Sequence, residues 1–333
     1  MVKLGFIGLG GMGLGQVNTF APLAQAEIVA GADPSGDAQK KFVEQHPDAV
    51  AYSDYKDLLK DKNVDAVVIA TPTLLHRPMC IDALKSGRPV MTEKPLARTV
   101  AECKKMIDVA DKAKLLLMVA QCRRFDTDWG CFRKIFTEGK IGSPAVWRQF
   151  NAGPGPKSAW FHDDKASGGP MMDGAVHNYD FANWIFGTPE SVVANSVKLT
   201  KTTAMDTCTA IIQYSSGNQA MLSWSWGAAA GVSGIDVLGP KGTLFFGAGP
   251  LAAETELKPT QGCYCIVPTG GGKPKLVKFR KSNMYTTQAA HFLACVQGAA
   301  TCLTPATEAI KAVAVAEAVI KAGRKGGAVK VTL

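Results

Sequence analysis

The stretch Val2-Lys3-Leu4-Gly5-Phe6-Ile7-Gly8-Leu9-Gly10-Gly11-Met12-Gly13 decides how the rest of the chain is read. Residues 4–8 have the length and apolar character of a buried parallel strand. Glycines then stand at 8, 10 and 13, the spacing of a G-x-G-x-x-G turn, and a helix-like segment follows. Gly8 permits the tight turn, Gly10 lets backbone approach a pyrophosphate, and Gly13 lets the helix pack against the strand. The helix start adds unpaired N–H groups and partial positive charge, so Gly8, Gly10, Gly11, Met12 and Gly13 form a candidate dinucleotide cradle. A glycine turn is weak by itself, and Asp33 strengthens it. Asp33 ends the next apolar run, 20 positions beyond Gly13, where a carboxylate is placed to accept hydrogen bonds from adenosine ribose hydroxyls. It would repel a 2′-phosphate, and no Lys or Arg follows before Lys40 and Lys41. NAD is therefore expected over NADP.

Strand-length apolar runs recur at 4–8, 28–32, 49–52, 66–70, 89–92 and 115–120, with helix-period stretches such as 54–60, 78–85 and 101–113 between them. This β-α-β alternation predicts a doubly wound parallel sheet over residues 1–122. After a helical stretch at 126–138, strand signals dominate: 145–150, 191–199, 207–214, 219–226, 235–238, 243–246 and 263–267, several alternating apolar and polar residues. Residues 123–333 are thus expected to form an α/β domain with a large, mostly antiparallel open sheet. Helical periodicity returns at 288–297 and 308–322, and this last segment is expected to pack back on one of the domains.

Composition agrees with two ordinary globular cores. The 333 residues are 47% hydrophobic and 20% charged, within the usual range for folded domains. No apolar run reaches the roughly 18 residues of a membrane span, so no membrane partner is expected. The chain enters its first strand at once, which leaves no room for a leader, and nine cysteines are an odd number for a closed disulfide framework. Free thiols and a cytoplasmic location are the expectation. The net charge of +9 comes without a basic block or interleaved aromatics, so nucleic acid is not expected as a partner. Cys263 and Cys265 share one strand face, but no second Cys or His pair has matching spacing, and no metal is expected.

Two further segments carry chemistry: Thr92-Glu93-Lys94-Pro95, after the fifth strand, and Gly168-Gly169-Pro170-Met171-Met172-Asp173-Gly174-Ala175-Val176-His177-Asn178-Tyr179-Asp180. Together with the N-terminal turn they resemble the glucose-fructose oxidoreductase and inositol dehydrogenase family, called Gfo/Idh/MocA, over nearly the whole chain. The resemblance implies a Rossmann domain, an open-sheet domain and an active site in the cleft between them. It places the family's lysine on Lys94 and its Asp-x-x-x-His pair on Asp173 and His177. Thr71-Pro72-Thr73 and His76 match the loop beside the nicotinamide, and Glu93 and Lys94 follow it in the cofactor set. Arg123 and Phe125 sit in the segment after the sixth strand, where Cys122 replaces a frequent Asn.

The residues themselves suit alcohol oxidation by NAD, in which a hydride leaves carbon and a proton leaves oxygen. His177, with an ordinary pKa of about 6.5, is the candidate base, and Asp173 four residues earlier is expected to share its helical face. Lys94 would stabilise negative charge developing on oxygen, and Pro95 favours extended backbone before it. Taken singly, each is more often a surface lysine, a core histidine or a helix cap. Trp160, Phe161 and His162 offer aromatic faces and a polar group suited to a sugar or cyclitol. Arg123 and Asn178 complete the expected substrate contacts, with Asn178 favoured over Asp180. The expected activity is hydride transfer between NAD and a secondary alcohol or ketone of a polyol, inositol or sugar. The alternative is a dinucleotide- and sugar-sensing regulator of the same fold, expected to have lost Lys94, Asp173 and His177. Ile211, Met221, Leu222, Trp224 and Trp226 suggest an apolar sheet face, through which a homodimer or homotetramer would assemble.

Overall fold

The apolar runs of the first third become strands with both faces covered. In the computed structural model, which describes residues 1–333, these are β1 (Val2–Ile7), β2 (Ala26–Ala32), β3 (Val50–Tyr52), β4 (Ala66–Ile69), β5 (Val90–Thr92) and β6 (Leu117–Val119). They pair in parallel in the order β3-β2-β1-β4-β5-β6, the doubly wound arrangement expected. Between them run α1 (Gly11–Phe20), α2 (Gly36–Gln45), α3 (Tyr55–Leu58), α4 (Thr73–Lys85) and α5 (Val100–Ala113). Local chemistry sets the helix starts: Ser35 accepts from the Ala38 N–H, Asp54 from Lys56, and Thr99 from Glu102. Each bond satisfies an otherwise orphaned first-turn donor. α4 starts five residues earlier than its periodicity suggested and carries Pro78 inside. Proline favours a first helical position, but here tertiary packing carries the helix through it at the loss of one backbone hydrogen bond.

The chain divides into two compact units, Met1–Cys122 with Met284–Ile310, and Arg123–Asn283 with Lys311–Leu333. In the second, α6 (Thr127–Thr137) and α7 (Val176–Phe186) accompany β7 (Val146–Ala152), β8 (Pro189–Val197), β9 (Thr207–Tyr214), β10 (Gln219–Ser225), β11 (Val232–Gly239), β12 (Gly242–Phe246), β13 (Gln261–Pro268) and β14 (Lys275–Arg280). After α8 (Met284–Val296) and α9 (Ala306–Lys325) the chain ends with β15 (Ala328–Lys330). The nine strands follow the order β14-β13-β12-β11-β7-β10-β9-β8-β15. Only β7 and β10 pair in parallel. Trp129, Phe132, Trp147 and Phe181 pack ring against ring in the core of this unit, with centroids 4.8–6.2 Å apart.

Alternation along β10 corrects one expectation. Ala220, Leu222 and Trp224 are buried while Met221 is exposed, because successive strand residues point to opposite faces. Leu222 and Trp224 therefore belong to the core. The outer face instead carries Met221 opposite Ile211, Ile211 opposite Val193, and Phe150 nearby on β7. In the first unit α8 packs on α1, with Phe20 and Phe292 edge to face at 6.1 Å.

Candidate active site

The glycine turn is built as its spacing requires. Gly8 has φ +90°, and a Cβ there would lie 2.6 Å from the Ala70 carbonyl oxygen. At Gly13 a Cβ would stand 1.9 Å from the Gly8 carbonyl oxygen, so helix and strand approach only because the side chain is absent. A Cβ on Gly10 or Gly11 would meet no atom within 4 Å, so the ground above the start of α1 is open. The first turn of α1 has no acidic residue, which leaves its positive dipole end unopposed. Met12 beside it is exposed. Asp33 has two tasks, its Oδ2 accepting the Leu9 N–H at 2.8 Å and its Oδ1 the Ser35 N–H at 2.8 Å. The carboxylate thus ties the glycine loop to the end of β2 while shaping its own turn, and each oxygen has a further lone pair for a ribose hydroxyl. These features fit a dinucleotide: an open anion cradle, a carboxylate at its rim, and the buried Thr71 hydroxyl with no hydrogen-bond partner of its own at the end of β4.

At the neighbouring strand ends the chain is tightly bound. His76 is buried, with Nδ1 2.8 Å from the Pro95 carbonyl oxygen and Nε2 2.9 Å from that of Thr71. Its ring clamps the loop after β4 to the loop after β5. Glu93 is also buried. Its carboxylate accepts from Gln16 Nε2 at 2.6 Å and from the Lys94 N–H at 3.2 Å. Gln16 escaped sequence reading because nothing local links it to a partner 77 positions away. Lys94 is half-buried, and the peptide joining it to Pro95 is cis. Thr71 and Pro72 are half-buried and lead into α4.

In the second unit Asp173 and His177 do not share a continuous α-helix. Asp173 lies in a π-type turn, Pro170–Gly174, closed by the Ala175 N–H on the Pro170 carbonyl, and α7 starts only at Val176. The wider turn changes the angular offset that a four-residue spacing implies in an α-helix. Asp173 is buried and His177 is half-buried. Gly174 keeps this turn close to the sheet, since a Cβ there would fall 2.8 Å from Trp224 Nε1. Asn178, expected to reach substrate, is fully buried and donates to Gln149 Oε1. Its amide nitrogen is turned toward β7, while its buried Oδ1 has no hydrogen-bond partner. Asp180 is held by Arg124 through two short bonds, 2.8 and 2.7 Å, with both side chains buried. Sequence reading singled out Arg123 instead, whose guanidinium lies over the Trp129 ring at 4.2 Å. Trp160, Phe161 and His162 form a half-exposed turn in which the first two rings stack at 3.7 Å, and His162 Nε2 lies 2.7 Å from the Pro156 carbonyl oxygen.

Residues 2–121 match the family model for the GFO/IDH/MocA oxidoreductase family with an NAD-binding Rossmann fold. Residues 131–245 match the model for a GFO/IDH/MocA C-terminal domain. The chain is 30% identical to the myo-inositol 2-dehydrogenase of Thermotoga maritima over 73% of its own length and 75% of the relative's. It belongs to the GFO/IDH/MocA family. Identity to the NAD(+)-dependent scyllo-inositol 2-dehydrogenase of Bacillus subtilis is 26%, over 90% of this chain and 87% of that one. Among solved structures, an oxidoreductase from Agrobacterium radiobacter in complex with NAD+, L-tartaric acid and magnesium superposes with a TM-score of 0.85. It shares 20% identity, over 99% of this chain and 98% of that chain. This GFO/IDH/MocA member is an NAD-dependent oxidoreductase. The named relatives are dehydrogenases, which sets aside the reading as a non-catalytic regulator.

Proposed function

We propose that this enzyme interconverts a secondary alcohol and a ketone on a small polyol, with an inositol as the first candidate. The observation that carries the cofactor part is the Gly8–Gly13 cradle tied to Asp33; the substrate class is supported by relatives named for inositols. When bound, the nicotinamide supplies the hydride acceptor or donor. His177 takes the hydroxyl proton during oxidation, Lys94 stabilises the oxygen as it gains negative charge, and Asp173 orients His177. Trp160, His162 and Arg123 are proposed substrate contacts. Asp33 selects NAD over NADP by repelling a 2′-phosphate. None of the nine cysteines forms a disulfide, which suits a reducing cytoplasm. The outer row of Val193, Ile211 and Met221 supports a homodimer or homotetramer through the second sheet.

The test is NAD+ reduction followed by absorbance across a panel of inositols, aldoses and uronic acids. An inositol should be the best substrate, and a panel led by an unrelated alcohol would overturn that assignment. Lys94→Ala and His177→Ala should each lower turnover by about 100-fold or more while NAD+ still binds. Undiminished turnover in both variants would remove these two residues from the chemistry.

A further inference from the structure

A second constellation lies in the first unit, outside the dinucleotide cradle. His291 and Cys295 stand four apart on α8 and so share a helical face. Beyond the helix, Gly298 adopts φ +71°, the Gly298 N–H bonds to the Cys295 carbonyl and the Ala299 N–H to that of Ala294. These are the paired bonds of a Schellman turn, and they reverse the chain. The returning segment is anchored where the Val119 N–H bonds to the Thr304 carbonyl at 2.9 Å. Cys302 is thereby brought back against α8, and the ligand atoms of His291, Cys295 and Cys302 all lie within 4.8 Å of one another. His291 Nε2 is 3.4 Å from Cys295 Sγ. A tetrahedral zinc ion with Zn–N of about 2.0 Å and Zn–S of about 2.3 Å separates such ligands by roughly 3.5 Å.

We propose that His291, Cys295 and Cys302 form a binding site for a thiophilic divalent cation, with Zn2+ as its natural fit. Three observations favour a ligand set over a chance cluster. First, the Leu303 N–H donates to His291 Nε2 at 2.9 Å, so that nitrogen carries the lone pair, facing the cluster, and the ring proton sits on Nδ1. The ion exchanges this one hydrogen bond for a coordinate bond. Second, the turn at Gly298 and the Val119–Thr304 bond hold Cys302 against α8 through backbone hydrogen bonds, so the three ligand atoms are gathered by the fold itself. Third, the Thr304 backbone N–H, two residues beyond Cys302, bonds to its sulfur, an outer interaction that supports a thiolate. All three residues are half-buried and reachable from solvent. Of the other seven cysteines only Cys131 is comparably open. Burial holds both thiols protonated, that of Cys302 at about 11. Binding therefore releases two protons to the buffer and leaves Zn2+ balanced by two thiolates, with a fourth position for water.

The site sits at the end of α8, where an ion would staple the helix to the segment leading into α9. Sequence reading missed it because Cys302 joins the pair only through the turn at Gly298.

The full chain, reduced and freed of metal, is titrated with Co2+ under anaerobic conditions. The expected result is one equivalent with a thiolate-to-cobalt charge-transfer band and intense tetrahedral visible bands, displaced by Zn2+. Affinity should rise by up to about 100-fold per pH unit, since two protons leave. Cys295→Ser and Cys302→Ser should weaken Co2+ binding by more than about 100-fold, whereas Cys131→Ser should not. A pale octahedral spectrum, or equal binding by Cys302→Ser, overturns the site. Zn2+ protection against alkylation, mapped by peptide mass in the unaltered chain, decides the matter if a variant fails to fold. Protection of Cys295 and Cys302 supports the site, and protection of other cysteines or of none refutes it. NAD binding is untouched by either outcome.

Discussion

At Gly13 a single methyl group decides whether the cradle can exist. The 1.9 Å approach to the Gly8 carbonyl is to backbone, which cannot swing aside as a flexible side chain would. Gly13→Ala should cost about 1–3 kcal/mol of stability, as overpacking does, and weaken NAD+ binding at least about tenfold. Fluorescence titration of the folded variant checks this, and wild-type affinity would contradict it. His76 offers a second residue-scale test. Its two ring nitrogens lie 2.8 and 2.9 Å from carbonyl oxygens of loops that follow different strands, and the nitrogen that carries the proton donates to one of them. His76→Leu preserves volume but leaves the carbonyl that accepts the ring proton without a partner, at roughly 1–3 kcal/mol. Urea unfolding should show the loss, and Lys94, one residue from the clamped Pro95 carbonyl, should lose turnover with it. Unchanged stability would mean that water replaces the ring.

Elements depend on what joins them, and the link between β8 and β9 is organised by one carboxylate. Asp206 is buried, which by itself would raise its pKa. The N–H groups of Leu199 and Thr200 and the Thr200 hydroxyl, at 2.7–3.1 Å, outweigh that and hold it below the usual value. A carboxylate with a depressed folded pKa adds stability above its unfolded pKa of about 3.9, and this is lost as pH falls through the folded value. Asp206→Asn should therefore cost about 2 kcal/mol near pH 7 and progressively less below about pH 4. Unfolding midpoints across that range measure the gap, and a constant gap would show that the charge is immaterial. Strand and helix types at this scale were legible in advance. The 207–214 run became β9 without change. Where α4 starts and which way β10 faces were not, because proline and a pair of adjacent apolar residues each permit two readings until a packing partner chooses.

For the molecule as a whole, the proposed assembly rests on the outer face of the second sheet. Val193, Ile211 and Met221 form one cross-strand row with Arg148 beyond it, itself paired with Asp236 at 2.6 Å. A contiguous apolar row of this kind on an outer face is the pattern of an interaction surface. Ile211→Lys should convert an oligomer to monomer in sedimentation at micromolar concentration, with the fold retained; an oligomer unaffected by the change would place the interface elsewhere. What the sequence alone determined were features written in local spacing: the glycine turn, Asp33 at the end of its strand, the parallel order that follows from β-α-β alternation, and the segments around Lys94 and His177. Only the tertiary structure decided which polar groups are committed inward. Asn178 turned to Gln149, Asp180 to Arg124, His76 to two carbonyls, and Cys302 to Cys295. A buried polar group must find a partner, and that partner is chosen by proximity in space, which residue order along the chain does not encode.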